Sequence, residues 1–134
     1  MFIGVVGRNV EGQCGLPHQP TSTLLQLVPI HFPHSIKQID CGYTFSSIVT
    51  DRGQVYTAGL NTKGQTGAHH GEALEDLHVS DDNDDGGTVR HMFRRVRGVL
   101  EHETVDWIAC GALRTFFVVN GGYAVYGVGS NSYS

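Results

Sequence analysis

The pattern Gly-x-Asn-x-x-Gly-Gln-x-Gly stands at residues 7–15 (GRNVEGQCG) and again at residues 59–67 (GLNTKGQTG). A third start, GSNSYS at 129–134, keeps Gly129 and Asn131 and has Ser134 where the next glycine falls in the other copies. Recurrence at fixed offsets constrains the fold more than any other feature of the chain, because a repeated unit must be one that stacks on its neighbours. A second block recurs in step with the first. IKQIDCGYTFSSIVTDRGQVYTAG (36–59) matches VDWIACGALRTFFVVNGGYAVYGVG (105–129), pairing Cys41-Gly42 with Cys110-Gly111 and Val55-Tyr56 with Val125-Tyr126.

Within these blocks the chain reads as strand and turn. Residues 36–41, 44–50 and 54–58, with counterparts 105–110, 115–119 and 123–128, are short runs rich in Ile, Val, Tyr, Phe and Thr. Asp51-Arg52-Gly53 and Asn120-Gly121-Gly122 are hairpin turns whose residues tolerate positive φ. Residues 25–30 and 93–100 offer one more strand per unit, ahead of each triplet. The expected class is all-β, in antiparallel four-stranded units of propeller-blade size. Eighteen glycines against four prolines fit an architecture of many tight turns.

Composition narrows the function classes. No signal peptide and no membrane span are expected from the residue pattern. Three cysteines, Cys14, Cys41 and Cys110, lack CxxC or CxxH spacing, which argues against a disulfide framework and a structural zinc site and favours a reducing compartment, cytoplasmic or nuclear. Cys41 and Cys110, at equivalent strand ends, read as small buried filler. Residues 72–87 hold seven of the thirteen acids and no Lys or Arg, so the acidity belongs to one insertion at about 68–92.

Four motifs suggest chemistry and each has a structural alternative. GLNTKGQT approaches a phosphate-binding loop, but Gln65 stands where the lysine must meet phosphate charge, and the motif recurs as a turn would. DDNDDG (81–86) matches the first half of a calcium loop, but Met92 occupies the position of the bidentate glutamate, leaving a solvated acidic loop. Eight scattered histidines read as surface loop residues rather than a metal site. Arg90, Arg94, Arg95 and Arg97 form a basic run that suits phosphates, an acidic protein surface or a water-facing strand. No catalytic, cofactor-binding or metal-ligating residue is assigned, and no cofactor is expected.

The repeated turn, the following strand ending in Cys-Gly, the hairpin, and the closing Gly-x-Val-Tyr-x-x-Gly resemble the regulator of chromosome condensation repeat family. In that family the resemblance covers Gly7, Asn9, Gly12, Gln13 and Gly15, then Gly59, Asn61, Gly64, Gln65 and Gly67, then Gly129 and Asn131. The chain departs from the family at Phe45-Ser46 and Arg114-Thr115, where a His commonly precedes the hydroxyl residue, and at Val6, Ala58 and Val128, where an aromatic is common. The single Trp107 counts against the photoreceptor specialisation of the family.

The resemblance implies a seven-bladed propeller, of which this chain supplies about two blades. Residues 1–6 are expected to close a preceding blade, 7–58 to form the first repeat, 59–128 the second with its insertion, and 129–134 the start of a third. It implies a fragment of a larger ring, completed by further blades or another chain. The expected function is a non-enzymatic protein-interaction module. The alternative is a guanine-nucleotide exchange factor for a small Ran-like GTPase, with metal or nucleic-acid binding behind both. Candidate partner-binding residues are Asp81, Asp82, Asp84, Asp85, Arg90, Arg94, Arg95 and Arg97.

Overall fold

A computed structural model describes residues 2–16, 21–29, 34–68 and 93–132. Nine strands fall into three antiparallel sheets. Strands β1 (Phe2–Arg8) and β2 (Thr21–Pro29) pair in the first. The second has the order β3 (Ile36–Cys41), β4 (Phe45–Thr50), β5 (Val55–Gly59), β6 (Arg94–Arg95). The third has the order β7 (Val105–Cys110), β8 (Arg114–Val119), β9 (Ala124–Gly129).

The two triplets are copies in detail. Ile48 opposes Tyr56 in one, and Phe117 opposes Tyr126 in the other. Each inner strand carries its bulge at the same place, between Ile36 and Gln38 and between Val105 and Trp107. The hairpins form where the turn residues require them. Gly53, at φ 73°, closes the Thr50–Gln54 turn, and Asn120, Gly121 and Gly122 all take positive φ.

The extra strand of each unit pairs differently from the expectation. β2 lies on β1, and β6 lies on β5 through Thr57–Arg94 and Tyr56–Arg95. The fourth strand therefore completes the sheet behind it rather than opening the triplet ahead, so sheet and sequence repeat run out of phase. Of the expected strand 93–100 only Arg94–Arg95 is strand, extended by Val96 N–H to Val55 O before the chain turns into a short 3-10 stretch at Gly98–Leu100.

Two apolar seams hold the sheets together. Leu16, Ile48, Tyr56, Ala58 and Phe93 pack between the first and second sheets, with Ile3, Val5 and Ile36 against them. Val49, Val55, Val96, Leu100, Val105, Ile108, Phe117 and Val119 pack between the second and third. Alternation along β4 sends Ile48 one way and Val49 the other, so the middle sheet is buried on both faces. Each such side chain contributes roughly 1.5–3 kcal/mol by leaving water.

The outer edges lack this cover. β9 is a terminal strand of its sheet, carries no charge or proline, and exposes Val125 at 60%. Phe116 on the adjoining β8 and Trp107 on β7 are exposed as well. Such an edge invites pairing with another chain. The purified 134-residue chain is expected to self-associate with rising concentration in size-exclusion chromatography. Val125→Lys is expected to shift it toward monomer, and an unchanged elution profile would contradict this reading of the edge.

Candidate functional site

The repeated turn is the most built feature of the molecule. After β1 the chain makes two successive bends, closed by Gly12 N–H to Asn9 O at 3.0 Å and Gly15 N–H to Gly12 O at 2.9 Å. After β5 it does the same, with Gly64 N–H to Asn61 O at 3.1 Å and Gly67 N–H to Gly64 O at 3.0 Å. Such bends leave main-chain groups pointing inward without partners, and side chains supply them. Asn9 donates from Nδ2 to Leu16 O at 2.7 Å and accepts Cys14 N–H at 2.9 Å. Asn61 donates to Ala68 O at 2.7 Å and accepts Thr66 N–H at 3.0 Å. Gln13 accepts from Glu11 N–H and Gln65 from Lys63 N–H. One amide serves as donor and acceptor across the turn in both copies, which an aspartate or a leucine cannot do.

The third start follows the same course. Gly7, Gly59 and Gly129 have φ of 117°, 116° and 114°. Ser130 N–H meets Leu113 O as Leu60 N–H meets Thr44 O, both at 2.9 Å. A Cβ on Gly59 would lie 2.3 Å from Thr44 O, and one on Gly129 2.2 Å from Leu113 O. Any side chain there would push the strand off its neighbour.

Each turn is then tied to the sheet that follows it. Ser46 Oγ donates to Gln13 O, and Thr115 Oγ1 donates to Gln65 O, both at 2.6 Å. A second tie runs along the inner strands. The Gln38 carboxamide donates to Ile108 O at 2.8 Å and accepts Ile108 N–H at 2.9 Å, a side chain acting as a strand edge. Asp40 accepts Cys110 N–H at 2.7 Å and Cys41 N–H at 2.9 Å. Sequence reasoning noted Ser46 and Thr115 only as the hydroxyl residues that follow the departures at Phe45 and Arg114. It missed Gln38 and Asp40, whose counterparts in the second block are Trp107 and Ala109 and so carry no repeat signal.

The candidate partner-binding residues divide. Asp81, Asp82, Asp84, Asp85 and Arg90 lie outside the described residues, as does the DDNDDG segment. Arg94 and Arg95 sit half-buried on β6. Arg97 pairs with Glu101 at 3.0 Å. Arg95 and Arg97 face the Tyr56 phenol, whose pKa burial raises and these two cations pull back. The described basic residues thus belong to the blade itself. Ala68 and Phe93, which flank residues 69–92, both lie at the turn end of the second sheet. Ala68 closes the Asn61 turn there, and Phe93 packs with Leu16 and Ala58.

At that same end the loops following β3 and β7 meet, with Tyr43 N–H on Ala112 O at 3.2 Å. Tyr43 is 76% exposed, and Leu113 is exposed in the adjoining loop. The cysteines correct one expectation. Cys41 is exposed rather than buried, because alternation at the end of β3 turns it outward. Burial pushes the Cys14 and Cys110 thiols up, so neither is a thiolate nucleophile at neutral pH. Among the described residues no group of three or more His, Cys, Asp or Glu is placed to hold a metal ion, and no helix is long and apolar enough to cross a membrane.

Comparison with known proteins follows the repeat geometry. Residues 36–65 match the model of the Regulator of chromosome condensation (RCC1) repeat. A repeat of the regulator of chromosome condensation family therefore lies at residues 36–65. The Secretion-regulating guanine nucleotide exchange factor of Bos taurus is 41% identical over 69 residues, covering 50% of this chain and 14% of that protein. The RCC1-like G exchanging factor-like protein of Homo sapiens is 33% identical over 69 residues, covering 48% of this chain and 15% of that one. Prp20p from Saccharomyces cerevisiae, studied for its binding to Gsp1p and histones, superposes with a TM-score of 0.74 at 20% identity. That match covers 96% of this chain and 29% of Prp20p. Human WBSCR16 gives 0.71 at 24%, with 96% and 29% covered. At these identities the solved structures show the fold, an RCC1-type propeller of which this chain is an incomplete part.

The ties make a stability prediction. Asn61→Ala strands one buried donor and one acceptor and is expected to lower unfolding stability by about 2 kcal/mol. Thr115→Val should lower it by about 1 kcal/mol. Lys63→Ala, on the exposed side of the same turn, should leave the urea midpoint unchanged. Equal effects from Asn61→Ala and Lys63→Ala would contradict the role given to the amide.

Proposed function

We propose that these repeats serve as part of a non-enzymatic propeller that presents its turn-end loops to a protein partner. The observation that carries this reading is the rim formed by Tyr43 and Leu113. Two adjacent blades there join through Tyr43 N–H and Ala112 O while leaving an aromatic and an aliphatic side chain in water. Exposed aromatics on rigid loops are what interfaces use as anchors. Residues 69–92, outside the described residues, leave and rejoin the chain at this end and supply acidic and then basic charge. We read them as the partner-specific element, with a cytoplasmic or nuclear location.

The names of the relatives favour a second reading, guanine-nucleotide exchange, for which a small Ran-like GTPase is the proposed partner. Exchange works by opening the GTPase's own nucleotide site and requires no nucleophile in the exchange factor. The inert thiols and the lack of converging acids among the described residues are compatible with it. The chain spans 14–15% of the length of these relatives, so the activity belongs to the proposal.

A nucleotide-release assay against a panel of small GTPases separates the two. Faster release from one GTPase, reduced at least fivefold by Tyr43→Ala at unchanged thermal midpoint, supports exchange through this rim. A flat response across the panel leaves the interaction module. Retention of a captured partner by the Tyr43→Ala variant would remove the rim from both readings.

A further inference from the structure

The seam between the second and third sheets changes character along its length. At the hairpin end it is apolar, with Val49, Val55, Val105 and Val119 in contact. Toward the turn end it becomes polar, with Ser47, Thr57, Gln65 and Thr115 all buried. Ser47 and Thr57 are directly opposed on β4 and β5, and alternation places them on the same face as Val49 and Val55, toward the third sheet. Thr115 is committed to Gln65 O. The Ser47 hydroxyl has the Cys110 thiol beside it, a weak partner. Thr57 Oγ1 and Gln65 Nε2 make no hydrogen bond to the protein, and Ser47 Oγ has only that thiol beside it.

Main-chain groups do not fill the gap for Thr57. It lies in the centre of its sheet, paired with Ser47 on one side and Arg94 on the other. The first seam has the matching Ser46–Gln13 tie but carries Val5 where the second carries Thr57. Buried polar atoms that do not pair with protein pair with ordered water, and a held water takes two to four such partners.

We propose that the turn end of this seam is a hydration site, where an ordered water bridges Ser47 Oγ and Thr57 Oγ1 within reach of the Gln65 carboxamide. It lies beside the joint that Thr115 and Gln65 make between the two sheets, on the face of the second sheet that meets the third. The pairing depends on register within the second sheet, because slipping β4 against β5 would separate the two hydroxyls.

Thr57→Val keeps the shape and removes the hydroxyl. With a bridging water, the variant loses a partner and its melting temperature should fall by roughly 3 °C, while Thr57→Ser stays near wild type. With a dry seam, the same change relieves an unpaired hydroxyl, and the melting temperature should hold or rise. A high-resolution crystal structure of the intact chain decides independently of stability. Solvent density within hydrogen-bond distance of Ser47 Oγ and Thr57 Oγ1 supports the site, and continuous protein packing between them overturns it.

Discussion

An asparagine side chain that closes a glycine turn is the interaction on which the rest of this structure depends. When the chain leaves β5 it must bend twice within nine residues, and a double bend strands an amide and a carbonyl inside the turn. Asn61 satisfies both, and Asn9 does so in the preceding copy. With the turn rigid, the carbonyl of the following glutamine has a fixed direction. Ser46 and Thr115 meet that carbonyl from the next sheet. The order of causes runs from a local amide, to a fixed carbonyl, to the distance between blades, and then to apolar seams that can close only at that distance.

The inner strands show a second solution to the same problem. β3 and β7, from adjacent sheets, are joined along their length through side chains. Gln38 and Asp40 bridge the gap with side chains, taking up Ile108 and Cys110 main-chain groups. Their counterparts Trp107 and Ala109 cannot do so, and Trp107 is largely exposed. The forward face of the third sheet therefore presents apolar surface where the middle sheet presents amide and carboxylate. A propeller built this way need not have equal seams.

Much of the fold was legible in the sequence because its information is local. The turn pattern, the hairpins at Asp51–Gly53 and Asn120–Gly122, and the strands of the two triplets to within a residue all follow from spacing and from residues that permit positive φ, whereas the strand expected at 25–30 runs Thr21–Pro29. The partner of the fourth strand was not legible. β6 is two residues long, too short for any period, and its place on β5 is set by packing of Phe93 and Val96. Cys41 was misread because a strand end next to an open axis obeys alternation rather than residue preference. The Gln38 bridge was invisible for the opposite reason: it is a tertiary contact seventy residues apart that the repeat does not copy. Of the candidate partner-binding residues, only Arg94, Arg95 and Arg97 have a described place, and it is within the blade.

The turn amides are held by side chains and not by solvent. Native-state hydrogen exchange reads this residue by residue. The amide protons of Thr66 and Cys14, bonded to Asn61 Oδ1 and Asn9 Oδ1, are expected to exchange as slowly as strand amides of the adjoining sheets, while the exposed Thr62 amide exchanges quickly. Thr66 and Cys14 amides exchanging at the rate of an open loop would contradict it.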